Sequence, residues 1–259
     1  MAEIIVAKIG GSTLGSYDTT LADVVELQRR GLRPVVVHGG GSLISEWLAL
    51  HNLPTRFESG LRVTDDESLK VVVAVLAGLV NKRIVASLCS LGGAAVGLSG
   101  ADGGLMGTRL ADEKLGLVGE VTDIEVAVLA TLWHSGLIPV IAPIGVLWDG
   151  ERPTAQLVNV NADEAAGSVA AAIDGACRLV FLTDVPGIQL DNDQIAARLE
   201  PAEAVNLIES GVIQGGMIPK VRACLKAAQE GVRTIIVDGR VEHALVRTIE
   251  GNMPGTTIA

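Results

Sequence analysis

The chain has 259 residues, enough for one large α/β domain or two lobes around a sizeable core. Hydrophobic residues make up 49% of it but aromatics only 2%, so the core must be built from Val, Leu, Ile and Ala, as in parallel sheets covered by helices. The formal net charge of -10 argues against nucleic acid or an anionic membrane as partner, and an anionic substrate would have to be captured by local cations.

A strand begins at once, over Ile4 to Ile9, with no basic segment, apolar stretch or cleavage site ahead of it, so a signal peptide is not expected. Lys8 closes this strand and Gly10-Gly11 follow. A lysine there is usually just solvated, but with glycine amides beside it, it can also meet an anion in the crevice beyond the strand's carboxyl end. The lysine precedes the glycines, so this is not the GxxxxGK[ST] phosphate loop. A second strand, Pro34 to Val37, runs into His38-Gly39-Gly40-Gly41 and a helix from about Ser42. Three glycines carry a large entropy cost for a plain turn, which favours backbone approach to an anion at the helix N-terminus. His38 reads as a packed or hydrogen-bonded core histidine.

Arg62, in Gly60-Leu61-Arg62-Val63-Thr64, stands between apolar neighbours and suits either a surface ion pair or a two-bond grip on a small dicarboxylic acid. The helix predicted from about Ser68 to Leu88 is apolar on every face between Val71 and Val80. It must therefore be covered on both sides, one side being the sheet and the other a second subunit or the chain itself. The longest apolar stretches are about ten residues, short of the roughly 20 needed to span a bilayer.

Strands follow at Ala94 to Leu98 and Ile138 to Ile141, and Trp148 to Pro153 reads as a turn between two short strands. In Asn159-Val160-Asn161-Ala162-Asp163 the alternation puts both asparagines on one face of a strand end. Asp163 opens the next helix, either as a cap or first-turn charge or as a carboxylate that holds two lysines. Near Asp174-Gly175-Ala176 that helix gives way to a strand, Leu179 to Leu182, which marks a boundary between lobes of one sheet, residues 1–175 and 176–259. The loop Thr183 to Ile188 then occupies the usual position of a nucleotide contact. Gly215-Gly216-Met217-Ile218-Pro219-Lys220 places a second lysine at a helix start, and the last strand marked is Thr234 to Val237. Cys89, Cys177 and Cys224 are far apart with no CxxC spacing, so neither zinc nor a disulfide framework is expected and a reduced, cytoplasmic setting fits.

Strand, glycine turn and helix thus recur along the chain, the signature of a βα alternating architecture. Two lysines, a carboxylate and glycine amides are the parts of a phosphoryl-transfer centre, where catalysis rests on positioning and charge.

Together these segments resemble the amino acid kinase family over essentially the whole chain. Lys8-Ile9-Gly10-Gly11 is family-wide, whereas Gly60 to Thr64, Asn159 to Asp163 and Gly215 to Lys220 are similar to its acetylglutamate-phosphorylating branch. The resemblance implies a three-layer αβα sandwich whose mainly parallel sheet is shared by two lobes. The N-terminal lobe would bind acetylglutamate and form a homodimer, and the C-terminal lobe would bind ATP. The γ-phosphoryl group of ATP, carried with Mg2+, would pass to the side-chain carboxylate of N-acetyl-L-glutamate in the second step of arginine biosynthesis.

Carried over by position, Lys8 and Lys220 resemble the cations that stabilise the transition state, and Asp163 the carboxylate that orients them. Gly11 and Gly41 would donate amides to the transferring group. Gly40, Gly41, Arg62, Asn159 and Asn161 resemble substrate contacts, with Arg62 on the α-carboxylate. Asp184, Val185, Pro186, Gly187, Ile188 and Gln189, with Val212, Ile213 and Gln214, resemble nucleotide contacts. The metal would be held by phosphates and water more than by protein groups. Ala101 and Ser42 depart from the family's usual lysine and proline. Only Met1, Ala2 and Glu3 precede the first strand, so the extra N-terminal helix of arginine-inhibited relatives, and with it arginine control, is expected to be absent. The alternatives are a related kinase for carrier-bound aminoadipate or glutamate, and a nucleotide-sensing module without activity. The sensing module would be expected to lose Lys8, Lys220 or Asp163.

Overall fold

The computed structural model describes residues 2–10, 19–58, 60–150, 152–190 and 194–259. Numbered along the chain, the strands of its main sheet run from one edge as β12 (Arg198–Leu199), β14 (Thr256–Ile258), β13 (Arg233–Asp238), β11 (Cys177–Thr183), β1 (Ile4–Ile9), β2 (Arg33–His38), β8 (Ile138–Ala142) and β5 (Ala95–Ser99). Neighbours are parallel except β13 and β14. The strands expected from aliphatic runs are all present, shifted or extended by one or two residues.

Alternation along β1 builds two cores. Ile4 and Val6 join Val35, Val37, Leu179 and Phe181 under α6 (Ala162–Ala171) and α8 (Met217–Gln229). Ile5, Ala7 and Ile9 join Val36, Val180 and Leu182 under α1 (Thr20–Arg29), α2 (Gly41–Leu50) and α9 (Ala244–Ile249). With helices on both faces this is the expected three-layer arrangement.

A single long helix, Asp66–Ser90, lies on the second face and comprises α3 (Asp66–Val73), a π-helical segment (Ala74–Val80) and α4 (Asn81–Ser90). Asp65 caps it by accepting from Ser68 N at 2.8 Å. By length and composition it could cross a bilayer, which corrects the expectation that no apolar segment reaches that length. Here Val72, Val75, Leu76, Ile84 and Leu88 are buried in the core. The apolar stretch is covered on that side alone: Ala74 and Gly78 are exposed in this single chain.

The sequence pointed to two short strands around residues 149–152, and these are β9 (Ile144–Asp149) and β10 (Arg152–Val160). It did not reveal their partners, β6 (Met106–Leu110) and β7 (Val118–Ile124), which close a small four-stranded barrel. The reason is glycine. A Cβ on Gly119 would lie 2.5 Å from Val158 Cγ2, and one on Gly145 2.5 Å from Thr108 Cγ2. Glycines that read as turns therefore sit inside strands where the barrel is too narrow for a side chain.

Candidate active site

Lys8 shares its β1 face with Ile4 and Val6, so the strand's period of two aims it at α6. It is buried. At the start of α6, Asn161 Oδ1 accepts from Asp163 N at 2.9 Å and from Glu164 N at 3.1 Å. Asn161 is therefore the cap, and Asp163 is left free for other work. Its Oδ1 lies 2.6 Å from Lys8 Nζ, and its Oδ2 is 3.1 Å from Lys220 Nζ. Among the described residues the Lys8 ammonium is the one group that compensates Oδ1. Burial alone would raise the Asp163 pKa, but the charges and hydrogen bonds of Lys8 and Lys220 outweigh it and hold the carboxyl below its usual range. Lys220, in the first turn of α8, also donates to Gly216 O at 3.2 Å.

The glycine run follows β2 and is tied to β1 by Gly39 N donating to Ile9 O at 3.1 Å. Gly40 packs against the long helix so tightly that a Cβ there would fall 2.8 Å from Leu76 Cδ2. Gly41 opens α2, and its carbonyl accepts from Arg62 Nη2 at 2.8 Å. Arg62 stands in β4 (Leu61–Arg62), paired with β3 (Phe57–Glu58) in a short hairpin. The same Nη2 donates to Ser45 Oγ at 2.9 Å, and the guanidinium carbon lies 4.7 Å from the centre of the Phe57 ring.

Arg62 is buried, and among the described residues it makes no ion pair and its buried Nη1 has no hydrogen-bond partner. An unsatisfied guanidinium nitrogen of this kind is what an incoming carboxylate would occupy. Asn159, near the end of β10, donates from Nδ2 to Thr64 Oγ1 at 3.1 Å.

Lys8, Gly40, Gly41, Arg62, Asn159, Asn161 and Asp163 line one cavity of about 240 Å³. The sequence reading had both asparagines on a strand face. In the structure β10 stops at Val160, and Asn161 reaches the same cavity from the helix cap. Gly11 lies outside the described residues. Ser45, Phe57 and Thr64 were missed. The hydroxyls lie four residues after Gly41 and two after Arg62, which was the available signal.

Asp184 to Gln189 leave the carboxyl end of β11, beside that of β1. Ile188 there is buried, its amide donating to Thr256 Oγ1 at 2.8 Å. Val212 to Gln214 connect α7 (Pro201–Glu209) to α8. Ile213 is buried, and Gln214 Nε2 donates to Gly211 O. Neither segment lines the cavity described above. The cavity adjoins a wider one of about 720 Å³ between the hairpin, α6 and α8, with Gly60, Leu61 and Asn161 common to both.

An open, mainly parallel sheet that brings a lysine, a glycine run, a buried arginine and a buried carboxylate to one cavity, with a second lysine on that carboxylate, defines an enzyme that moves an anionic group. Residues 3–238 match the model of the amino acid kinase family, and the chain belongs to that family. Acetylglutamate kinase of Dehalococcoides mccartyi is 45% identical over 98% of this chain and 94% of its own length. Acetylglutamate kinase of Novosphingobium aromaticivorans is 44% identical over 94% of this chain and 86% of its own length. The crystal structure of smu.665 from Streptococcus mutans superposes with a TM-score of 0.85 at 28% identity, covering 100% of this chain and 99% of that one. The chain is accordingly an ATP-dependent kinase.

Proposed function

We propose that this kinase transfers the γ-phosphoryl group of ATP to the side-chain carboxylate of N-acetyl-L-glutamate, giving N-acetyl-L-glutamyl 5-phosphate and ADP, the second step of arginine biosynthesis. A carboxylate oxygen attacks the γ-phosphorus, the bond from that phosphorus to the bridging oxygen of ADP breaks, and no proton need move. The chain then supplies charge and position. Lys8 and Lys220, held on Asp163, neutralise the transferring group, and the amides of Gly41 and Gly11 add donors.

The observation that carries this reading is the buried Nη1 of Arg62, without a partner among the described residues, in the same cavity as Lys8 and Asp163. It suits the α-carboxylate of a small dicarboxylic acid, and relatives named acetylglutamate kinase support the choice of acid. Asn159 and Asn161 would meet its remaining polar atoms. We assign residues 1–175 to acetylglutamate and residues 176–259 to ATP. Asp184, Val185, Pro186, Gly187, Ile188 and Gln189, with Val212, Ile213 and Gln214, would form the nucleotide side.

Both oxygens of Asp163 are taken by lysines, and no group of three or more His, Cys, Asp or Glu is assembled among the described residues. Among the described residues no protein cage for Mg2+ is assembled, and the ion would arrive on the nucleotide's phosphates. We place the enzyme in the cytoplasm, as a homodimer.

Arg62→Ala tests the reading. A grip on a non-reacting carboxylate exists before and during transfer, so its loss should raise KM for N-acetylglutamate and leave KM for ATP little changed. A selective rise for ATP would remove Arg62 from the acceptor site.

A further inference from the structure

Asn81 begins α4 where the π-helical segment ends and is fully buried. Its Nδ2 donates to Val140 O of β8 at 2.8 Å, lies 3.4 Å from Leu98 O of β5, and is 3.2 Å from His38 Nε2. The two carbonyls settle which way the amide faces, because a flipped Asn81 would set its oxygen against both. The nitrogen therefore points at the imidazole and can only donate to it. His38 is itself fully buried. Burial, with smaller contributions from the charges of Lys8 on β1 and Lys82 on the long helix, lowers its pKa to about 4, so the ring is neutral. A neutral ring that accepts at Nε2 carries its proton on Nδ1, and Nδ1 lies 3.0 Å from Gly39 O.

Gly39 is thus held from two sides, its amide by Ile9 O and its carbonyl by His38. That carbonyl belongs to the peptide whose nitrogen is the Gly40 amide. Fixing its plane fixes where the Gly40 amide points, while the next plane, which holds the Gly41 amide, is set separately by Ile44 N donating to Gly40 O at 2.9 Å. The long helix backs the same run with Leu76 and Val80. We infer that Asn81 is a positioning residue: by selecting the Nδ1–H form of His38 it orients the Gly39 carbonyl and, through their shared peptide, the amide of Gly40, which lines the acceptor cavity. The inference rests on the phosphoryl-transfer reading above for its effect on rate, but not for its effect on His38.

The test combines two measurements. Nitrogen NMR of the histidine-labelled wild-type protein reports the His38 tautomer directly: Nδ1–H is expected, and Nε2–H overturns the inference whether or not any variant folds. In Asn81→Asp, a carboxylate must accept where the amide donated. His38 then holds its bond to Gly39 only when doubly protonated. We expect kcat/KM to fall by about tenfold or more near pH 8 and to recover in part near pH 6, where imidazole can take the second proton. Loss that is equal at both pH values is what a merely structural bond to Val140 would give, and together with unchanged kinetics it counts against the inference. If wild-type protein shows Nδ1–H yet fails to phosphorylate N-acetylglutamate, the functional reading fails while the orientation of Gly39 stands.

Discussion

A Cβ on Gly167 would lie 2.8 Å from the carbonyl oxygen of Ala223 and 2.9 Å from its Cα, so α6 and α8 meet backbone to backbone at this point. Asp163 and Lys220 each sit one turn before it on their respective helices. The close approach is what sets the 3.1 Å contact between them. Gly167→Ala should push the helices apart. Overpacking of this kind costs about 1 to 3 kcal/mol, and the widened Asp163 to Lys220 contact should lower kcat. Thermal unfolding together with steady-state kinetics checks this, and wild-type values in both would contradict it.

Lys8→Ala and Lys220→Ala should each reduce kcat by roughly 100- to 1000-fold, with smaller effects on KM, because both cations meet charge that develops during transfer. Their stabilities should differ. Among the described residues Lys8 is the sole partner of a buried Asp163 oxygen, so its loss should lower Tm markedly. Lys220 is more exposed and shares its ammonium with Gly216 O, so its loss should be felt mainly in kcat. Equal Tm losses or retained turnover would refute the division of roles.

Acidification should weaken the fold through His38. Its pKa falls from 6.5 to about 4 on folding, so between those values the unfolded chain binds a proton that the folded chain does not. Stability is therefore complete above the upper value and is lost as pH falls toward the lower, by about 3 kcal/mol for this group. Denaturant titrations across that range should show the decline, and His38→Gln should flatten it. An unchanged slope in the variant would mean that other groups carry the effect.

Ala74 and Gly78, within the apolar stretch of the long helix, are exposed, and we propose that a second copy covers them. Val75 and Leu76 are buried in the chain's own core, so charging them would only damage the fold. Ala74→Arg is the informative change. It should shift light scattering from dimer to monomer at unchanged Tm, and a monomeric wild-type chain would reject the proposal.

Much of this was legible in the residues. Runs such as Ile4 to Ile9 and Leu179 to Leu182 announce buried parallel strands, because strands covered by helices on both faces read as nearly continuous apolar runs. Lys8 and Arg62 stood out as charges between apolar neighbours, and Asp163 as a carboxylate that opens a helix after two asparagines. The barrel did not, since Gly107, Gly119 and Gly145 break the strand pattern locally while serving a close packing that only the fold reveals. Asn161 as the helix cap was hidden by Asp163, an equally good capping residue two positions on. Asn81 gave one signal that went unread, a lone amide in an apolar helix, whose partners lie 43 and 59 residues away along the chain.

The central claim is that the acceptor is N-acetylglutamate, and ADP release measured by a coupled assay with N-acetyl-L-glutamate, L-glutamate and L-2-aminoadipate compared side by side tests it most directly. The account predicts rapid, saturable ADP release with N-acetyl-L-glutamate and little above background with the other two. Equal or faster turnover with glutamate or aminoadipate, or none with N-acetyl-L-glutamate, would contradict it.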